Sequence, residues 1–317
     1  MRLKNKLKAV GRTVQTISAE KLGSIDYQTE RKIAELKKLD PIRIFAKKLD
    51  VCIQNEEYEV PARLFFASEE QQKAGLAAYF GGAILFLHGG GWVTESVDTY
   101  ERICAEMADA TGQPVLAVEY RRAPEYRFPI ALMDCYAAAK ALYTGALLPG
   151  VKPAQITVIG DSAGGNLAAA LSLMARDRGE FMPARQVLVY PALWNDYSEH
   201  SPYASVRENG RGYILTSEKM QEYLGLYQRT EADRENPYFA PLLEKNLSGL
   251  PKTLILTAGH DPLRDEGEDF AARLLAAGNE VRLYRIEKAQ HGFFALGFKQ
   301  IYVAESLEYI VKFLQEA

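Results

Sequence analysis

Five short, almost wholly apolar runs recur along the chain: Ala83–Leu87, Val115–Val118, Ile156–Ile159, Val187–Tyr190 and Thr253–Thr257. A strand with one wet face alternates polar and apolar residues. A run without alternation suits a strand covered on both faces, as in a parallel sheet. Helix-length stretches lie between the runs: Tyr100–Ala110, Ile130–Tyr143, Gly164–Arg176, Asp265–Ala277 and Ile301–Gln315. Such alternation predicts an α/β fold with a doubly wound sheet. Leu49–Gln54 and Tyr58–Phe66, joined by the polar Asn55-Glu56-Glu57, read as an antiparallel hairpin in front of it. Val281–Ile286 alternates more, which places it nearer an edge. The expectation is a mostly parallel sheet of about eight strands with helices on both faces.

The chain has 317 residues, enough for one large domain with a small appendage. Its net charge of −3 offers no basic face for nucleic acid. Cys52, Cys104 and Cys135 are far apart and form no CxxC pair. This argues against disulfide and zinc frameworks and suits reduced thiols in the cytoplasm. The basic start, Met1 to Lys8, is followed by no apolar core of a signal peptide. No apolar run reaches the ~20 residues of a membrane span.

Leu3, Leu7, Val10, Val14 and Ile17 fall on one helical face. The stripe reads as a helix packed on the rest of the protein; an interfacial membrane helix is the alternative. A second helix is expected over Thr29–Leu39, ended by Asp40-Pro41. Some sixty residues separate Tyr190 from Thr253, with a helix expected at Ser217–Tyr227. A long insertion of this kind commonly covers a site. The expected organisation is an N-terminal helical cap segment over 1–45 and a catalytic domain over 46–317. Residues 194–240 would add to the cap.

One strand runs into Gly160-Asp161-Ser162-Ala163-Gly164-Gly165, after which a helix begins. A serine on a sharp strand-to-helix turn has its hydroxyl exposed, and small neighbours let strand and helix close up. No lysine follows, as a phosphate loop would require. Ser162 is therefore the candidate nucleophile. Another strand ends in His88-Gly89-Gly90-Gly91-Trp92. Glycines free the backbone to aim N–H groups at a ligand. Gly89 and Gly90, with Ala163 after the nucleophile, are the expected oxyanion donors; Gly91 would shape the loop.

With the nucleophile on such a turn, the acid and then the histidine follow in chain order. Among four histidines, His291 lies after the last expected strand, beside Gly292. His88 is expected to orient its own loop, and His200 to be solvated. Asp261 follows a strand directly, whereas Asp265 opens a helix and would serve as a cap. The expected catalytic set is Ser162, Asp261 and His291, with no cofactor and no metal.

These blocks resemble the hormone-sensitive-lipase-like family of bacterial esterases, of the α/β-hydrolase superfamily. The likeness is carried by His88–Trp92, Gly160–Gly165, Asp261–Gly267 and His291–Phe293, in the family's order. Tyr120–Pro129 and Asn236–Pro241 are similar to two further blocks, although Arg122, Tyr126 and Arg127 depart from the first. The resemblance implies the α/β-hydrolase fold, a helical cap and hydrolysis of short-chain carboxylic esters without metal or cofactor. An amidase or peptidase with the same three residues and a non-catalytic small-molecule binder are the alternatives. A small-molecule ester would be the partner, and the last strand and helix a homodimer edge.

Overall fold

The computed structural model describes residues 25–37, 47–56, 58–77, 81–296 and 300–316. The apolar stripe from Leu3 to Ile17 lies outside the described residues. In chain order the elements are α1 (Tyr27–Lys37), β1 (Lys48–Asn55), β2 (Tyr58–Phe65), α2 (Glu69–Ala74), β3 (Ala83–Leu87) and α3 (Glu101–Thr111). Then come β4 (Val115–Val118), α4 (Ile130–Tyr143), β5 (Ile156–Asp161), α5 (Ala163–Arg178) and β6 (Arg185–Val189). The insertion carries α6 (Ala204–Glu208) and α7 (Ser217–Tyr227). It is followed by β7 (Lys252–His260), α8 (Arg264–Ala276), β8 (Val281–Gln290), α9 (Phe293–Leu296) and α10 (Gln300–Gln315).

The eight strands form one sheet in the order β1-β2-β4-β3-β5-β6-β7-β8. β1 and β2 are antiparallel to each other, as are β2 and β4; the remaining pairs are parallel. The apolar runs have a direct cause in this topology. Leu85, Leu87, Leu116, Val118, Val158 and Leu188 point into one core, with Leu167 and Leu171 of α5. Their neighbours Ile84, Phe86, Val115, Ala117, Ile159 and Val187 point into the other, with Met107 of α3 and Phe313 of α10. Alternate residues serve opposite faces, and both faces are dry. Each fully buried side chain of this size contributes roughly 1.5–3 kcal/mol.

Three details go beyond the sequence expectation. β8 is an edge strand, as its alternation suggested, but runs on to Gln290 past an irregularity opposite Ala258 and His260. α2, which carries no buried residue, left no apolar signal; Ser68 caps it by accepting from Gln71 N–H at 3.2 Å. β5 and β7 continue past their apolar runs to Asp161 and His260. The strands therefore deliver chemistry-bearing residues at their C-terminal ends, where open α/β sheets bind ligands.

β3, β5 and α5 approach one another closely. A Cβ on Gly164 would stand 2.0 Å from the Leu87 carbonyl oxygen, and one on Gly160 2.1 Å from the Gly164 oxygen. All of these neighbours are backbone, so no side chain can move aside. Gly164→Ala is expected to cost about 3 kcal/mol or more, the upper range for overpacking. Urea denaturation checks it; a midpoint equal to wild type would show that the turn relaxes freely.

Candidate active site

Ser162 sits between β5 and α5 with φ 55 and ψ −119. This left-handed conformation is rarely adopted by a side-chain-bearing residue and costs on the order of 1–3 kcal/mol. It is held by Ser162 N–H donating to Val189 O at 2.9 Å, while Ser162 O accepts from Asn166 N–H at 3.0 Å and Ala192 N–H at 3.2 Å. His291 follows β8, and its Nε2 lies 2.8 Å from Ser162 Oγ. Its Nδ1 lies 2.7 Å from Asp261 Oδ2. Asp261, fully buried after β7, accepts Leu263 N–H on its other oxygen at 2.8 Å. Neutral imidazole fits this chain in one way: Nδ1–H donates to the carboxylate and Nε2 accepts from the serine hydroxyl.

The structure therefore brings the three expected residues together. Asp265 takes a different part from helix capping. α8 has Leu263 at its cap and no side-chain cap bond. The Asp265 carboxylate instead accepts Ser205 N–H at 2.7 Å and pairs with Arg264, tying the insertion to α8. His260 stacks on Tyr213, and His200 is exposed.

One expected oxyanion donor is corrected. Gly89 N–H points away from the serine: it donates to Asp161 Oδ1 at 2.9 Å and reaches Tyr100 Oη at 3.2 Å. An N–H engaged by a buried carboxylate has no capacity left for a developing oxyanion. Among the described residues, Gly90, Gly91 and Ala163 N–H donate to no acceptor. Gly90 (φ 103) and Gly91 line the same cavity as Ser162 and His291. The set that remains is Gly90, Gly91 and Ala163. His88 holds this loop from behind. Its Nδ1–H donates to Gly89 O at 2.8 Å, and its ring stacks on Tyr120 at 4.2 Å. Burial pushes its pKa down to about 4, so it is neutral at pH 7.

Two buried carboxyls beside the site were not singled out by sequence reasoning. Burial pushes Asp161 up to about 6, against the donors Tyr100, Tyr190 and Gly89 that pull it down. Glu266 is pushed up to about 8, again chiefly by burial. Its Oε1 accepts Leu193 N–H at 2.6 Å and Tyr197 Oη–H at 2.8 Å, fastening the start of the insertion. Asp161 sits inside the turn motif and Glu266 inside a charged run. Neither composition nor spacing distinguishes such carboxylates from ordinary polar residues.

The cavity over Ser162 has a volume of about 180 Å³ and is walled by α1, the 214–215 loop and α7. Its apolar wall includes Ile33, Leu215, Met220 and Tyr223. Trp92, Tyr197 and Phe294 are core packing, with Trp92 stacked on Tyr227 at 4.6 Å. Arg207 and Arg211 border a separate open cleft. Two polar clamps hold α1. Lys219, almost fully buried, pairs with Glu30 at 3.2 Å, and Tyr223 Oη–H donates to Glu30 at 2.7 Å. Arg31 donates to Val93 O at 2.9 Å, to Ala123 O at 2.7 Å, and to both oxygens of Glu125 at 2.8 Å. Val93 N–H in turn donates to Gly90 O, so α1 is fastened to the glycine loop itself.

Residues 84–295 match a family described as the alpha/beta hydrolase fold. An arylesterase of Saccharolobus solfataricus is 35% identical over 245 residues, covering 77% of this chain and 76% of the relative. An ethyl acetate hydrolase of Pseudomonas putida is 36% identical over 260 residues, covering 82% and 79%. The structure of a hyperthermophilic esterase from the archaeon Pyrobaculum calidifontis superimposes with a TM-score of 0.82 at 34% identity, covering 92% of each chain.

Removing the Arg31 clamp is expected to loosen α1 selectively. Arg31→Ala should cost about 1–2 kcal/mol, mainly from the two carbonyl bonds, because the half-exposed ion pair adds little. The Arg31 guanidinium lowers Glu125 from 4.5 to about 2. The ion-pair share is thus present above pH 4.5 and is lost as pH falls through about 2. Hydrogen exchange of the α1 amides at pH 7 checks the main effect; unchanged protection in the variant would contradict it.

Proposed function

The chain belongs to the α/β-hydrolase family, in its hormone-sensitive-lipase-like branch, and is a serine ester hydrolase; from that premise we propose that it cleaves short-chain carboxylic esters through an acyl-enzyme on Ser162. The observation that carries the residue assignment is the unbroken chain Ser162 Oγ–His291 Nε2, His291 Nδ1–Asp261 Oδ2, at 2.8 and 2.7 Å.

In this reading Ser162 Oγ attacks the ester carbonyl carbon as its proton passes to His291 Nε2. The carbonyl oxygen gains the negative charge and is met by the N–H groups of Gly90, Gly91 and Ala163. Each such donor is worth ~10²–10³ in rate. Collapse breaks the bond to the alcohol oxygen, which leaves with the proton from Nε2. Water then repeats the cycle on the acyl-serine and releases the acid. Asp261 holds the imidazole in the required tautomer and balances the imidazolium.

α1 and the 194–240 insertion act as the cap. The cavity of about 180 Å³ supports short acyl groups. Pockets that enclose larger ligands have roughly 300–1,000 Å³. The exposed Leu283 on the edge strand β8 supports a homodimer there, to be read by sedimentation. The three free thiols support a reducing, cytoplasmic setting.

Ser162→Ala is expected to abolish hydrolysis of p-nitrophenyl acetate, and Asp261→Asn to lower kcat by ~10⁴. Turnover near wild type in either variant would refute the assignment. Across a p-nitrophenyl ester series, kcat/KM should fall at least about tenfold from butyrate to dodecanoate, as methylenes outgrow the cavity. A rising profile would contradict the short-chain reading.

A further inference from the structure

Tyr190 follows β6 with its backbone at φ 35, and it is fully buried. A non-glycine residue persists in this region when its surroundings over-determine it. Its ring lies against the His291 imidazole, with centroids 4.6 Å apart at 54°, and against Phe293 at 5.0 Å. Its hydroxyl has two partners. It accepts Phe294 N–H at 3.1 Å, from the segment just after His291, and donates to Asp161 Oδ2 at 3.2 Å. Tyr100 Oη–H donates to the same Oδ2 at 2.8 Å, and Gly89 N–H donates to Oδ1 at 2.9 Å.

Phenylalanine would fill the same space without burying a hydroxyl, which costs free energy unless bonded. The hydroxyl is bonded on both sides, to two different loops. One phenol and one carboxyl thus join the histidine loop, the serine turn and the glycine loop below the reacting atoms.

We propose that Tyr190 is a positioning residue for the reaction. Its ring sets the plane of His291. Its hydroxyl locks the histidine loop to Asp161 and, through Gly89, to the loop that presents Gly90 and Gly91. The distance between base and oxyanion donors then stays fixed while charge moves between them. Preorganisation of this kind lowers the barrier without tightening ground-state binding. The inference rests on Ser162 being the nucleophile.

The test uses the full chain and p-nitrophenyl acetate. Tyr190→Phe, which keeps the ring, is expected to lower kcat about tenfold, as one hydrogen bond to a charged group allows, with KM within about twofold. Asp161→Asn should also lower kcat, and the double variant should lose less than the product of the two single losses, because both changes act on the Tyr190–Asp161 link. A Tyr190→Phe kcat within about twofold of wild type, or losses that multiply in the double variant, would overturn the proposal. If Asp161→Asn does not fold, Tyr190→Phe decides by its kcat and KM alone. A fluorophosphonate separates the two levels. Wild-type protein that is not labelled at Ser162 sinks the functional reading. Labelled wild type with an equal labelling rate in Tyr190→Phe sinks only the role of Tyr190.

Discussion

The tight contact of Gly160 and Gly164 with each other and with the end of β3 governs the site. With side chains at these positions, β3, β5 and α5 would be forced apart by backbone clashes. Their closeness leaves Ser162 little room except φ 55, which turns its hydroxyl toward His291. The same contact brings His88 and Gly89, which follow Leu87 directly, beside Asp161. The serine turn and the glycine loop are thus parts of one backbone junction, and their alignment does not depend on flexible side chains.

Around this junction the protein handles charge unevenly. Asp261 is fully buried yet meets His291 and Leu263 N–H, so its charge is balanced where the chemistry needs it. Asp161 and Glu266 are also buried, but burial outweighs their donors and raises both pKa values. One secures the glycine loop and the other the insertion. Glu30 does the same for α1, with Lys219 as counter-charge. Buried polar groups at each of these joints select one arrangement, because any slippage leaves them without partners.

Much of this was legible in the chain. The five central strands, β3 to β7, announce themselves because two dry faces demand apolar residues without alternation, whereas β1 and β2 show through the polar turn between them and β8 through its alternation. The serine, aspartate and histidine follow from motifs at strand ends. The glycine loop was only half legible: three consecutive glycines announce free N–H groups but not their directions. The acceptor that engages Gly89 N–H, Asp161, is seventy-two residues away and leaves no local sign of that bond. Aspartate at a helix start suggests a cap, whereas the partner of Asp265, Ser205, belongs to a distant insertion. Tyr190 passed for ordinary core because it ends an apolar run. Its two hydroxyl partners come from turns brought together only by the fold.

The cavity wall is attached differently from the reacting atoms. α1 is held by Arg31 and Glu30, and α7 meets it through Lys219 and Tyr223; none of these is in the serine, histidine and aspartate chain. On the proposed function, the wall that would choose a substrate can therefore vary while the residues that would break the bond stay unchanged. Yet the separation is incomplete, since Arg31 reaches Val93, whose N–H is bonded to Gly90 O. On the proposed function, a change of taste in this protein, whether by drift or by design, would be felt at the glycine loop through Arg31 and through Tyr223, whose ring packs on Gly91.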